Sequence, residues 1–206
     1  MQTHSRPPLS TARFLALGDS YTIGEGVVES NRWPEQWAGR MNEQGHSINQ
    51  PVRIIAQTGW TTDELMQAID DAGEIGIYQY VSLLIGVNNQ YRRRSIDEFE
   101  TEFTQLAEKA VYFAGNTPQQ VFVLSIPDWG QTPFGQASSR DTSQISQEID
   151  SFNLVVEKIC QRLKIKYWDI TSITRENSKK PLMHADDGLH PSKLMYEIWV
   201  NSLFSP

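Results

Sequence analysis

The chain has 206 residues, of which 39% are apolar, so it can bury one substantial core but is short for two domains of ordinary size. Its formal net charge of −7 argues against binding to nucleic acid, because contacts to the phosphate backbone depend on clustered Lys and Arg. The single cysteine, Cys160, excludes an intramolecular disulfide and a cysteine-based zinc site.

The first residues do not have the pattern of a secretory signal. Residues 1–11 contain charged residues and two prolines but no long apolar core, so we expect a flexible lead-in followed by one domain over residues 12–206. No apolar run approaches the roughly 18 to 20 residues of a membrane-spanning helix. We therefore expect a cytoplasmic protein without a transmembrane segment, and no feature of the sequence specifies its oligomeric state.

Five short segments rich in β-branched and aromatic residues are predicted to be strands. Most are nearly continuous apolar runs, which is typical of parallel strands covered on both faces. In chain order they are residues 13–17, 52–56, 80–85, 120–126 and 165–170.

The stretches between these strands have helical spacing. They are residues 33–44, 62–72, 96–115, 143–163 and 192–203. Thr61 with Glu64 and Ser95 with Glu98 fit the capping box that begins a helix, and Pro34 suits a first turn. The alternation predicts an α/β fold, a three-layer α/β/α sandwich with a doubly wound, five-stranded parallel sheet of the flavodoxin-like type.

A candidate nucleophile follows the first predicted strand. The Gly-Asp-Ser triplet at 18–20 places Ser20 just past the carboxyl end of a buried strand, the edge where α/β proteins bind ligands. A serine hydroxyl is a weak nucleophile and needs a base within hydrogen-bond reach, usually a histidine held by a carboxylate. His190 lies in the loop after the fifth strand, and Asp187 precedes it by three residues. A tight turn would bring this carboxylate and this imidazole together.

Neighbouring residues compete for both roles. Asp186 is adjacent to Asp187, although the spacing favours Asp187 as the carboxylate. His184 is a second candidate base, but no carboxylate lies three residues before it. Each pattern alone is more often a turn or a local surface hydrogen bond than a catalytic group.

Candidate donors for an oxyanion follow the second and third strands. Gly59 permits a close approach of its backbone to a ligand, and Asn88 offers a side-chain amide. Both are expected at the same edge as Ser20, where such donors would stabilise a tetrahedral intermediate. Seen alone, each residue is better explained as part of a turn.

In this order, Ser20, Gly59, Asn88 and His190 resemble the four residues that name the SGNH hydrolase superfamily, the GDSL esterases and lipases. The resemblance implies that His190 removes the Ser20 proton, that Asp187 orients the imidazole, and that the Ser20 and Gly59 amides hold the oxyanion with Asn88. It implies a serine esterase or acylhydrolase that acts on a small-molecule ester through an acyl-enzyme, without a metal or organic cofactor.

Two positions depart from the family's pattern. Tyr21 stands where leucine usually follows the serine. Asn89 stands where the third block commonly has aspartate, so the role of that acidic neighbour must be met in another way.

Several loop residues near the same edge are candidates for contacting substrate. They are Trp60, Tyr91, Arg92, Trp129, Phe134 and Met183. The aromatic side chains could contact an acyl chain or a sugar, and Arg92 could attract a phosphate or carboxylate head group. Residues 127–140 are predicted to form a long loop, and the other loops are short. An open site favours small esters, lysophospholipids, thioesters or O-acetylated sugars.

Three other functions are consistent with parts of the sequence. One is a non-catalytic module that binds carbohydrate or acyl ligands on the same fold, and another is an acyltransferase that uses the same triad. A flavodoxin-like nucleotide protein would fit the strand pattern, but Asp19 stands where its phosphate would lie.

Overall fold

The computed structural model describes residues 11–204 and contains a five-stranded, all-parallel sheet in the order β2-β1-β3-β4-β5. The strands are β1 (Phe14–Gly18), β2 (Arg53–Ala56), β3 (Tyr80–Leu84), β4 (Val121–Leu124) and β5 (Lys166–Trp168). The fold class and all five strands are confirmed, although β4 and β5 are shorter than predicted. Of the predicted lead-in, only Thr11 lies within the described residues.

Nine α-helices occur in the part of the chain that the structure describes. They are α1 (Ser20–Ile23), α2 (Trp33–Glu43), α3 (Thr62–Asp71), α4 (Val87–Tyr91), α5 (Ile96–Phe113), α6 (Pro133–Ala137), α7 (Thr142–Leu163), α8 (Thr171–Asn177) and α9 (Lys193–Leu203). Helix α2 packs against α9, and α5 packs against α3 and α7, so helices flank the sheet. The five long helices are confirmed. The four short ones have too few residues to show helical periodicity in the sequence.

The register of the sheet explains why its central strands are almost entirely apolar. Leu17 of β1 lies opposite Ile55 of β2 and Leu83 of β3, in the middle of the molecule. Every residue of β1 and β4 is buried, which matches strands that are covered on both faces. The carboxyl ends of the parallel strands therefore meet at one edge of the sheet.

The predicted long loop at 127–140 is wrong in part, because it contains two short helical segments. A 3₁₀ helix spans Trp129–Gln131, and α6 follows it directly. Thr132 caps α6 by accepting a hydrogen bond from the Gly135 amide at 3.1 Å. A Cβ atom on Gly135 would lie 2.2 Å from the Trp129 carbonyl, so the glycine that indicates a loop in the sequence serves close packing here.

The predicted start of α3 is confirmed in detail. The Thr61 amide donates to the Glu64 carboxylate at 2.8 Å, which is one half of the capping box. At α5, the Ser95 side chain caps the helix through the Asp97 amide at 3.2 Å. Within the described range, no helix is both long and apolar enough to cross a bilayer.

Candidate active site

Ser20 is held at the end of β1 by a turn that only glycine permits. A Cβ atom on Gly18 would lie 2.4 Å from the Leu84 carbonyl, so the chain can leave β1 beside β3 only without a side chain there. Asp19 then caps α1 by accepting a hydrogen bond from the Tyr21 amide at 3.0 Å. Ser20 is the first residue of α1 and is mostly buried.

The Asp187 carboxylate and the His190 imidazole form a close pair from one loop. The Asp187 Oδ2 atom lies 2.6 Å from His190 Nδ1, while Oδ1 accepts the amides of Leu189 at 2.8 Å and His190 at 2.9 Å. Gly188 supports this turn with a φ of 67°. In this pairing, the Nδ1–H group of His190 donates to the Asp187 carboxylate, and the other ring nitrogen, Nε2, is left for a different partner.

The ionisation of Asp187 agrees with this pairing. Partial burial acts to raise the pKa of Asp187, but hydrogen bonds from the His190 ring and from two backbone amides outweigh it. Its pKa therefore lies below the usual range, and the carboxylate stays charged to stabilise a protonated imidazole.

Ser20 and His190 border the same cavity, which has a volume of about 230 Å³. Gly59 and Asn88 also line it, so the structure brings together residues that follow three different strands and the final loop. The rings of Tyr21 and His190 lie 5.8 Å apart, edge to face. From α9, the Tyr196 hydroxyl donates to the Tyr21 carbonyl at 3.0 Å and ties α1 to the end of the chain.

Gly59 occupies the position in its turn that requires a positive φ. The Trp60 amide donates to the Gln57 carbonyl at 3.3 Å, and Gly59 has a φ of 90°, which defines a type II turn over residues 57–60. The Asn88 Nδ2 atom donates to the Trp60 carbonyl at 2.9 Å. Because an amide carries two hydrogens, the second one is free of this bond and can serve the cavity.

The sequence profile of the GDSL-like lipase/acylhydrolase family matches residues 16–198. This range contains every residue that lines the cavity. The chain belongs to this family. The GDSL hydrolase is thus an enzyme that acts on ester bonds.

Solved structures of other proteins share this fold. They include TesA, with a TM-score of 0.73 at 16% identity over 93% of this chain and 96% of that one. The lipase/acylhydrolase from Enterococcus faecalis has a TM-score of 0.71 at 16% identity, covering 94% and 93%. The acetylxylan esterase Axe2 from Geobacillus stearothermophilus has a TM-score of 0.70 at 16% identity, covering 94% and 92%. No sequence match was found among proteins of curated function.

The rest of the cavity wall in the GDSL hydrolase is mainly apolar. It is formed by Tyr21, Val87, Tyr91, Trp129, Phe134 and Leu189, with Thr58 beside them. Trp129 is almost fully buried, and its Nε1 atom donates to the Gln90 side chain at 2.8 Å, so its ring has a fixed orientation. Four of the lining residues were not predicted, although each adjoins a residue that was: Tyr21, Thr58, Val87 and Leu189.

Three predicted substrate contacts lie elsewhere. Trp60, Arg92 and Met183 do not line the cavity. Arg92 instead donates to the Gly59 carbonyl, and Met183 lines a separate surface cavity together with His184 and Asp186. His184 has its own partner, because its Nε2 atom lies 3.0 Å from the Ser178 carbonyl.

Asn89, which departs from the family's pattern, is fully buried beside Asn88 in the GDSL hydrolase. Its Oδ1 atom accepts the Thr62 amide at 3.1 Å, and its Nδ2 atom donates to the Thr62 hydroxyl at 2.6 Å. The Thr62 hydroxyl in turn donates to the Glu102 carboxylate. Asn89 is thus linked through the Thr62 hydroxyl to a carboxylate, Glu102 of α5.

Asp19, next to Ser20, is a buried acid. Burial raises its pKa to about 7, although hydrogen bonds from backbone amides act in the opposite direction. Its Oδ2 atom has no hydrogen-bond partner among the described residues. Over residues 11–204, no three His, Cys, Asp or Glu side chains converge into a group that could hold a metal ion.

Proposed function

We propose that this GDSL hydrolase cleaves carboxylic esters or thioesters of single-chain acyl groups through an acyl-enzyme on Ser20. One observation carries the proposal: Ser20, His190, Gly59 and Asn88 border one cavity whose remaining wall is mainly apolar. A reacting carbonyl in this cavity would meet a nucleophile, a base and two donors, while its acyl chain would meet hydrophobic side chains.

In the proposed mechanism, His190 Nε2 takes the proton of the Ser20 hydroxyl as the oxygen attacks the acyl carbon. The Asp187 carboxylate, 2.6 Å from Nδ1, stabilises the imidazolium that forms. The Ser20 and Gly59 amides and the Asn88 side chain hold the oxyanion. The tetrahedral intermediate expels the alcohol or thiol, which takes the proton from His190. Water then repeats the sequence on the acyl-enzyme and releases the acid.

The volume of the cavity indicates the length of acyl chain that it can hold. An engineered apolar cavity of about 150 Å³ holds benzene. The volume here is about 230 Å³. By that comparison it has room for an acyl chain several carbons long, with Trp129 and Tyr91 as walls. An acetyl group would leave most of this apolar surface without a partner, so we expect acetate esters to be poorer substrates.

Hydrolysis of p-nitrophenyl esters from acetate to palmitate tests the proposal. We expect kcat/KM to be higher for esters of medium-chain acids than for acetate, because a longer chain covers the apolar wall. Ser20→Ala should abolish turnover. Asp187→Asn should lower kcat by about 10⁴-fold because the imidazole loses its orienting charge. The adjacent Asp186→Asn is the matched control and should retain the wild-type rate.

Labelling by a serine-directed fluorophosphonate tests the proposed mechanism independently of the proposed substrate. A folded wild-type protein that resists labelling would favour a binding module and overturn the mechanism. Labelling at Ser20 with the highest kcat/KM on acetylated xylose would keep the mechanism and reject the acyl-chain assignment.

A further inference from the structure

Arg92 makes two bonds behind the cavity. Its Nη2 atom donates to the Gly59 carbonyl at 2.7 Å, and its Nη1 atom lies 3.3 Å from both carboxylate oxygens of Glu64. The same Glu64 side chain caps α3 by accepting the Thr61 amide at 2.8 Å. Arg92 therefore links the turn that carries Gly59 to the first turn of α3.

Arg92 and Asn88 act on consecutive carbonyls of that turn. They are four residues apart at α4 and its end, a spacing that places two side chains on one helical face. Asn88 donates to the Trp60 carbonyl at 2.9 Å, and Arg92 donates to the Gly59 carbonyl. The turn is thus held against α4 at two adjacent carbonyls. One of the two side chains that hold it, Asn88, is itself a proposed oxyanion donor.

Arg92 is well suited to this double contact. Its guanidinium presents several donors in a rigid plane, so one side can hold a carbonyl while the other holds a carboxylate. A lysine has one ammonium and cannot span both partners with the same geometry. A bond from a charged donor to a carbonyl is also stronger than a neutral one.

We propose that Arg92 is a positioning residue that sets the distance between the two oxyanion donors, the Gly59 amide and the Asn88 side chain. The inference rests on the proposed function, because it takes the Gly59 amide to hold the oxyanion. Arg92 acts through Gly59 and does not contact the substrate. Without Arg92, the Gly59 carbonyl loses its charged donor. The turn keeps its bond to Asn88 and, through the Thr58 hydroxyl, its bond to Glu25, but the Gly59 amide can move relative to the charge that develops in the transition state.

Arg94 offers a matched control. Its Nη1 atom pairs with Asp63 at 2.6 Å, so it also joins the segment after α4 to the first turn of α3. It has no bond to residues 57–60. Arg92→Ala and Arg94→Ala each remove one partly exposed ion pair between the same segments, and both variants should unfold at nearly the wild-type temperature.

The test measures kcat and KM on a neutral p-nitrophenyl ester. We expect Arg92→Ala to lower kcat by about 10-fold to 100-fold with KM little changed, because the donor is displaced rather than removed. This is less than the roughly 100-fold to 1000-fold loss expected for Asn88→Ala. Arg92→Lys should recover part of the rate. Guanidinium, below the concentration that unfolds the protein, should raise kcat of Arg92→Ala but not of Arg94→Ala.

Four outcomes would overturn the inference. Equal kcat values for Arg92→Ala and Arg94→Ala would show that the turn does not need the guanidinium. A loss confined to anionic lysophospholipids, with neutral esters unaffected, would make Arg92 a head-group contact instead. If the wild type neither hydrolyses esters nor accepts a fluorophosphonate, the proposed function fails and this inference fails with it. Wild-type activity with an unaffected Arg92→Ala rejects the positioning role alone.

Discussion

Asp19 places an acid with no access to solvent directly before Ser20, the proposed nucleophile. Its pKa of about 7 compares with about 3.9 for an aspartate in an unfolded chain. Between these two values, the folded state keeps a proton that the unfolded state has lost. The stability that Asp19 contributes is therefore fully present below about pH 4 and is lost as the pH rises through 7.

Replacing Asp19 with asparagine should remove this dependence on pH. Asparagine keeps the shape of the protonated acid and can still cap α1. The free energy of unfolding of Asp19→Asn, minus that of the wild type, should be about 2 kcal/mol larger at pH 8 than at pH 5. Unfolding in guanidinium chloride at both pH values measures this difference.

The exposed Asp186→Asn is the control for Asp19→Asn, and its effect should be the same at pH 5 and pH 8. If the free energy difference between Asp19→Asn and the wild type is also unchanged between these pH values, the buried carboxyl does not titrate as described.

At the scale of elements, one hydrogen-bond chain joins the starts of α3 and α4 to α5. The direction of each bond is determined, because the Thr62 backbone amide can only donate and so faces Asn89 Oδ1. Asn89 Nδ2 then donates to the Thr62 hydroxyl, whose single hydrogen goes to Glu102. Asparagine at position 89 and a carboxylate at position 102 are therefore a matched pair.

Asn89→Asp should break this match, since two carboxylates would then compete for one hydroxyl hydrogen. We expect a loss of about 1 to 3 kcal/mol in unfolding free energy. Glu102→Gln in the same chain should recover much of the loss, because the glutamine amide can donate to the Thr62 hydroxyl while the carboxylate introduced at position 89 accepts from it. A double-mutant cycle measured by chemical denaturation gives the coupling. Strictly additive effects of the two substitutions would reject the pairing.

Across the whole molecule, the edge of the sheet beyond β4 and β5 is joined to the helices by buried side chains. Asn153 of α7 accepts the Ile126 amide at 2.7 Å, and its Nδ2 atom donates to the Ile126 carbonyl at 3.1 Å. The same Nδ2 atom lies 3.0 Å from the Thr171 hydroxyl, at the start of α8. Asn153 thus ties together the segments after both strands, next to the segment that carries Trp129.

Asn153→Ala should destabilise the protein without impairing the chemistry. It leaves the buried Ile126 amide without its partner, whereas the Ile126 carbonyl and the Thr171 hydroxyl remain bonded to each other. The expected cost is about 2 kcal/mol, or a fall in Tm of roughly 4 to 8 °C. Leu154→Ala, at the exposed neighbouring position of α7, is the control and should leave Tm nearly unchanged. The prediction is rejected if both variants have the same Tm.

The sequence by itself determined the strands, the long helices and the order of the candidate site residues. Continuous apolar runs specify buried parallel strands, and the spacing from Thr61 to Glu64 specifies the start of α3, because these signals depend on residues close together in the chain. The pairing of Asp187 with His190 is local in the same sense, since three residues and one glycine turn separate them.

Only the tertiary structure decided what surrounds those residues. Arg92 faces the Gly59 carbonyl instead of the cavity, Trp129 is a buried wall held by Gln90, and the Thr62 hydroxyl links Asn89 to Glu102. Each of these contacts joins segments that are far apart in the chain. A single sequence carries no periodic or spacing signal for such contacts, because they arise only when the strands and helices pack.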